Sequence, residues 1–346
     1  METLASYSNP HHLQLPVNFK EEDIVYFQPH FNYELLEPEV IALRNVFYFR
    51  NGVIAKINGN KIKKHLPWAE WGNHLKNNFW VKRIGKAILK NDLQFFRKSK
   101  IKYAIVINPF SDNYFHWLTE VLPKLIYLKE KLDHFKVFLP KDCNKEYQLD
   151  TLKLLQINFS YLKKDTAFFS RVFICSPFAK YPGFISKESM FKIRDIFKYI
   201  ETKNEEKKRI YISRKQVHRR NVLNEEELMP VLIRNGFEII YPETLSFLGS
   251  VALFKNAEIL ISIHGAALTN MIFLPKRSTV FELKLEKILT DKCYYILANV
   301  AGMKYYYQNC KSIDVIQDHI HSNIIVDVNE FESNLRSIIA KSTKAK

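Results

Sequence analysis

Residues 257–270 read AEILISIHGAALTN. The short apolar run Ile259 to Ile263 leads straight into His264-Gly265-Ala266-Ala267. An apolar run ended by Gly predicts a strand buried on both faces, as in a parallel sheet. Gly265 and Ala266 carry little bulk and let a ligand approach the main chain closely. The first N–H groups of the helix that follows face such a ligand and favour an anion, phosphate above all. Many strand-to-helix turns carry Gly and a polar residue. This one gains weight from Arg214, at the end of an earlier apolar strand, and Glu282, at the end of the next one.

Between these points the chain alternates strand and helix. In the second half, strands are predicted at 209–212, 237–241, 259–263, 279–283 and 304–307. Helices are predicted at 224–235, 246–255, 267–273, 294–301 and 330–341. Asn224 with Glu227 marks a helix N-cap followed by an acid in the first turn. From Lys100 onward the same rhythm holds, with strands at 103–107, 135–139 and 171–175. Helices are expected at 114–132, 149–155 and 189–200, the first kinked or divided by Pro123. Such alternation argues for parallel α/β layers, in which ligands bind beyond the carboxyl ends of strands. The first ~95 residues are less periodic. Runs at 41–48 and 52–57 flank Arg50-Asn51-Gly52 and predict a hairpin, whereas Pro67–Trp71 adds aromatics without a period. Three parts are therefore expected: a β-rich extension (1–95), a first Rossmann-like domain (96–203) and a second (204–346), joined by the polar linker Glu201–Lys208. At 346 residues the chain has ample material for them.

Lys and Arg number 52 against 36 acidic residues, a formal net charge of +16. Such an excess suits polyanions, nucleotide phosphates or an anionic membrane face, or simply a solvated lysine-rich surface. The lysines are scattered apart from short runs such as Lys61–Lys64, so no nucleic-acid module is expected. Cys143, Cys175, Cys293 and Cys310 show no metal-type spacing, and the apolar or aromatic neighbours of at least Cys175 and Cys293 suit buried free thiols in a reducing compartment. The opening METLASYSNPHHLQLP lacks the apolar core of a signal peptide. No run reaches the ~20 apolar residues of a membrane span. A cytoplasmic protein, peripheral to the inner face of the membrane, is expected.

Three groups carry chemistry. In Tyr211-Ile-Ser-Arg214, the guanidinium projects from a strand end and can pair with a diphosphate, with Arg219 and Arg220 as further cations. A surface salt bridge from Arg214 to Glu225 or Glu226 is the alternative. Glu282 can accept hydrogen bonds from ribose hydroxyls, or act as a capping or salt-bridged acid near Lys284. In Asp112–Pro123, His116 and Glu120 lie four apart on one helix face. His116 suits a general base with Glu120 orienting it, or Glu120 acts itself. The pair also fits a packed histidine or half of a metal site, for which no third ligand is evident.

The segments NYFHWLTEVLP, YISR with RR and NEEEL, and HGAALTNMIFLP with FEL stand in an order that resembles glycosyltransferase family 61. They span residues 113–283. The resemblance implies a GT-B architecture, two facing Rossmann-like domains, and inverting transfer from a nucleotide sugar, UDP-linked by expectation. Arg214 would then neutralise the leaving diphosphate with Arg219 or Arg220. The turn His264, Gly265, Ala266, Ala267 would present N–H groups to it, with Asn270 close by, and Glu282 would hold the ribose. His116 or Glu120 would deprotonate an acceptor hydroxyl, on a glycan or lipid-linked capsule or lipopolysaccharide precursor. Fixed cations can replace a divalent metal at the diphosphate. The chain contains no Asp-x-Asp, so no metal cofactor is expected. A catalytically silent nucleotide-binding protein and a nucleic-acid-binding protein are the rivals. An NAD-dependent oxidoreductase is disfavoured because no strand is followed by G-x-G-x-x-G.

Overall fold

The computed structural model describes residues 6–7, 13–28, 33–50, 52–58, 61–65, 77–97, 99–180, 182–202, 206–286, 292–312 and 322–343. They form two compact units, one of Met1–Asn9 and Glu34–Ile196, the other of Pro10–Tyr33 and Phe197–Lys346. Asn51 of the predicted turn, the aromatic stretch Pro67–Trp71 and residues 203–205 of the predicted linker lie outside the described residues.

In the first unit, Val40–Phe49 pairs antiparallel with Ile54–Asn58, as the turn signal predicts, and Ile54–Asn58 pairs with Lys61–His65. Gly52 at the turn has φ 83°, and a side chain there would press to 2.7 Å from the carbonyl of Ile107. Only glycine accepts both conditions. On its other edge Val40–Phe49 runs antiparallel to Thr166–Cys175. Lys102–Ile105, Phe135–Leu139 and Asn158–Tyr161 follow in parallel, and Leu93–Phe96 also pairs parallel with Thr166–Cys175.

The sheet of this unit is therefore mixed, where strand–helix alternation predicted a parallel one. The strands expected to form a separate extension continue it. Leu43, Val46 and Tyr48 share one core with Ala167, Phe169 and Val172, so apolar burial ties residues 40–55 to strands more than 100 positions later. Pro10–Tyr33 goes to the second unit instead.

Pro123 divides the predicted helix. A short helix, Tyr114–His116, begins under Asn113, whose side chain accepts from the N–H of Phe115 at 2.9 Å. A π-helical turn, Trp117–Val121, and an α-helix, Leu122–Lys131, follow. Pro123 has no N–H to give the carbonyl four residues back, and the widened turn absorbs that missing rung. Trp117 is fully buried and donates through Nε1 to Thr151 Oγ1 at 2.9 Å.

The second unit holds a five-stranded parallel sheet. Its spatial order is Phe237–Ile240, Lys208–Ile212, Ala257–Ile263, Thr279–Leu285, Lys304–Cys310. In chain order this is 2-1-3-4-5, a doubly wound Rossmann-like arrangement whose switch point falls between Lys208–Ile212 and Ala257–Ile263. Ile259, Ile261, Phe281, Leu283 and Tyr306 fill one side with Leu228, Leu232, Phe331 and Leu335.

One local expectation needs correction. Asn224 precedes the helix Glu225–Arg234 but gives it no side-chain cap. Its amide is taken by both main-chain groups of Val326, which clamps the approach to the last helix, Val328–Thr343. The helix expected after Gly265 is present, as a 3₁₀ helix over Ala266–Phe273. Among the described residues no helix is long and apolar enough to cross a membrane.

Replacing Trp117 with Phe should strand the acceptor side of buried Thr151 and lower stability by about 1–3 kcal/mol, plus a cavity contribution. A urea titration checks this; an unchanged midpoint would show that the indole bond contributes nothing.

Candidate active site

Arg214 follows the strand Lys208–Ile212, and His264-Gly265 follows Ala257–Ile263, so both emerge at the switch point of the second sheet. They meet there. A methyl group added at Gly265 would stand 3.0 Å from Arg214 Nη1, so the guanidinium occupies the space that glycine leaves. Arg214 donates from Nε to the carbonyl of Arg220 and from Nη2 to that of Arg219, both at 3.2 Å. Arg220 has φ 58°, a left-handed conformation uncommon for a residue with a side chain.

The salt-bridge alternative for Arg214 is not realised. Glu225 is buried and accepts from Tyr211 Oη at 2.7 Å and Ser213 Oγ at 2.9 Å, while Glu226 pairs with Lys215. Among the described residues no carboxylate pairs with Arg214. Burial and the neighbouring charge of Arg220 both lower its pKa. The loop thus turns the main chain of Arg219 and Arg220 toward Arg214, where the sequence predicted their side chains as extra cations.

Glu282 is 2% exposed. One carboxylate oxygen meets His264 Nδ1 and the other accepts from Tyr305 Oη at 2.5 Å. With the carboxylate ionised, Nδ1 must carry the proton, which assigns the tautomer of His264. Tyr294 packs edge-on against the imidazole, with ring centroids 4.8 Å apart. Burial and the adjacent Glu282 raise the pKa of Tyr305 well above its ordinary value. The acid expected to hold a ribose is thus engaged in orienting His264.

The predicted alternative, a salt bridge to Lys284, is also absent. That ammonium is buried over the rings of Tyr26, Phe27 and Tyr307 at 5.2–5.6 Å, and no hydrogen-bond acceptor reaches it among the described residues. Asn270 is buried and donates to the carbonyl of Ala267 at 3.0 Å, bracing the turn from within.

In the first unit, His116 Nδ1 lies 2.6 Å from Glu120 Oε1. Glu120 is buried; its Oε2 accepts from Asn108 Nδ2 at 2.7 Å and its Oε1 from the N–H of Gly183 at 3.3 Å. The imidazole stacks on Phe110 at 5.1 Å. Lys124, one turn further along, is buried; desolvation lowers its pKa and the charge of Glu120 opposes that shift. Asn108, Phe110 and Gly183 carry no motif in sequence, and neither do Tyr294 and Tyr305. The loop signal after the strand Lys102–Ile105 was the one pointer to Asn108. A cavity of about 450 Å³ opens beside the same helix, lined among others by Leu36, Pro123, Tyr127 and Phe178. None of the predicted site residues lines it. Among the described residues no group of three His, Cys, Asp or Glu is placed to hold a metal.

A five-stranded parallel sheet in the order 2-1-3-4-5 puts the second unit in the doubly wound, Rossmann-like class of α/β folds. Comparison with known proteins narrows this. Residues 114–281 match the model of glycosyltransferase 61. The EGF domain-specific O-linked N-acetylglucosamine transferase of Drosophila melanogaster is 33% identical over 134 residues, 35% of this chain and 25% of that protein. Proteins of the same description are 34% identical over 104 residues in Mus musculus and 35% over 103 in Bos taurus. Each of those two matches covers 19% of the relative, so this chain spans a quarter or less of the curated relatives it matches.

If Tyr305 and His264 share Glu282, Tyr305→Phe should lower stability by about 1–3 kcal/mol. The double variant with His264→Ala should depart from additivity by about 0.5–3 kcal/mol. Thermal melts of the four proteins test the network, and strict additivity would dissolve it.

Proposed function

We propose that this chain is a glycosyltransferase that moves a sugar from a nucleoside diphosphate, UDP in the first instance, to an acceptor hydroxyl with inversion at the anomeric carbon. The observation that carries this reading is the meeting of Arg214 with Gly265 at the switch point, inside the segment matched by the family. The GT-B architecture of the sequence resemblance goes with the proposal as its fold.

In the proposed reaction the acceptor oxygen bonds to the anomeric carbon as the bond to the diphosphate breaks. Negative charge grows on the diphosphate, and Arg214 stabilises it selectively, together with N–H groups of the turn from His264 to Ala267. A guanidinium held by carbonyls rather than by a carboxylate keeps its charge for such a partner. His264, fixed by Glu282, contacts the donor, and Glu282 acts on it through His264. Arg219 and Arg220 add long-range positive field.

On the acceptor side His116 is the base. Glu120 accepts from Nδ1, which leaves Nε2 as the nitrogen that takes the hydroxyl proton. An imidazole so held needs no covalent enzyme intermediate. The cations at the leaving group supply what a divalent metal supplies elsewhere, so no metal cofactor is required.

N-acetylglucosamine is the donor sugar to test first, because the named relatives transfer it. A lipid-linked capsule or lipopolysaccharide precursor is the proposed acceptor, supported by the net charge of +16. The relatives' EGF-domain acceptors favour a protein hydroxyl as the second reading.

Transfer or hydrolysis of UDP-N-acetylglucosamine and other nucleotide sugars should persist in EDTA. Arg214→Ala should abolish nucleotide-induced thermal stabilisation, and His116→Ala should cost about 10²–10⁴ in rate with donor binding intact. Activity lost in EDTA and restored by Mn²⁺ would overturn metal independence. Absence of any nucleotide response in the wild type would overturn the reading as a whole.

A further inference from the structure

The helix Asn77–Leu89 was not legible in the sequence, and it presents a face that the fold leaves uncovered by the described residues. Its inner side is fixed to the first sheet. Ile84 is buried with Phe49, Val53 and Ala55, Ala87 is buried as well, and the guanidinium of Arg83 lies over the Phe49 ring at 5.1 Å. The orientation of the helix about its axis is thereby set.

Its outer side is apolar where a surface helix is ordinarily polar. Val81 is 53% exposed, Ile88 60% and Leu89 89%, and at 100° per residue the three fall within an arc of roughly 100°. Lys82, Lys86 and Lys90 follow at four-residue spacing and form an exposed stripe beside that arc. The helix contains no acidic residue. Isolated exposed apolar residues are ordinary. An apolar arc bordered by a continuous row of ammonium groups on a docked helix is not.

We propose that Asn77–Leu89 docks the protein on an anionic lipid surface, with Val81, Ile88 and Leu89 entering the headgroup boundary and Lys82, Lys86 and Lys90 pairing with lipid phosphates. The division of labour follows from the chemistry of an interface. Apolar side chains gain by leaving water for the acyl boundary, and long lysine side chains keep their charge at headgroup level. A protein partner would need acids facing the lysine row and an apolar ridge facing the arc. A bilayer of anionic lipid supplies both along any direction, and the absence of acids from the helix favours it. The proposal does not depend on the transferase reading. Where both hold, the helix brings the enzyme to acceptors carried on a lipid.

Co-sedimentation with vesicles of phosphatidylcholine and phosphatidylglycerol, against phosphatidylcholine alone, tests it on the full chain. The wild type should bind the anionic vesicles and lose binding in high salt. Lys82→Gln with Lys86→Gln and Lys90→Gln should weaken binding by about a hundredfold. Lys207→Gln with Lys276→Gln and Lys311→Gln, an equal change of charge on the second unit, should leave most of it. Val81→Gln with Leu89→Gln, which keeps good helix formers in place, should also reduce binding while the melting temperature stays put. Equal loss in the two lysine triples would mean that bulk charge alone binds lipid and would overturn the helix. So would wild-type indifference to phosphatidylglycerol, or apolar variants that bind as before. A wild-type dimer that the helix variants dissociate would assign the face to a second copy and refute the lipid proposal.

Discussion

When a parallel sheet is wound in opposite directions from one strand, the connections leave on opposite faces and part at that strand's carboxyl end. In the second unit the parting falls between Lys208–Ile212 and Ala257–Ile263, and the residues that emerge there are Arg214 and His264-Gly265. The loop from Lys215 turns back so that the carbonyls of Arg219 and Arg220 hold the guanidinium, and Arg220 adopts a left-handed backbone in doing so. Gly265 supplies the opposite wall by having no side chain. Were the strand order simply sequential, the two strand ends would not form a crevice, and the same residues would be an exposed arginine and a turn.

Two buried carboxylates use one device. Glu120 and Glu282 each give one oxygen to the Nδ1 of a histidine and the other to a neutral donor, Asn108 in one case and Tyr305 in the other. A carboxylate removed from water needs such partners to stay ionised, and an ionised one dictates which imidazole nitrogen bears the proton. The two histidines are therefore directed by partners they did not acquire in the same way. His116 and Glu120 share a helical stretch loosened by the π turn that Pro123 makes necessary, whereas His264 and Glu282 come from adjacent parallel strands.

The legible part of this site in sequence was the part written into local pattern. Apolar runs that stop sharply revealed the strand ends that carry Arg214 and His264, whereas Glu282, expected at a strand end, lies inside Thr279–Leu285 in register with Ser262 and Tyr307. His116 and Glu120 were paired by their spacing of four. What lay beyond reach was every partner supplied from a distance. Gly183 comes from 63 residues beyond Glu120, and Tyr305 from 23 beyond Glu282. Two alternatives also resisted the sequence for a physical reason. Whether Arg214 meets Glu225, and whether Glu282 meets Lys284, depends on competing partners, and those are fixed only when Tyr211, Ser213, His264 and Tyr305 are in place. The mixed order of the first sheet was hidden in the same way. The pattern of Val40–Phe49 shows a strand but not that its neighbour is Thr166–Cys175.

Charge compensation differs between the acids and the cations around the switch point. Most acids near the switch point are spent on neutral or aromatic partners: Glu225 on two hydroxyls, Glu282 on a histidine and a tyrosine. Lys215 pairs with Glu226, but among the described residues Arg214 and Lys284 have no carboxylate in ion-pair contact. Arg214 is held by carbonyl dipoles, and Lys284 lies over aromatic rings with no acceptor. Had stability alone shaped this region, pairing Arg214 with Glu225 would satisfy both ions at short range. Carbonyl and ring contacts orient a cation without cancelling its charge. A charge held in this way is already aligned when negative charge develops beside it. That trade, of stability for a standing positive field, is what a leaving diphosphate would require of the site.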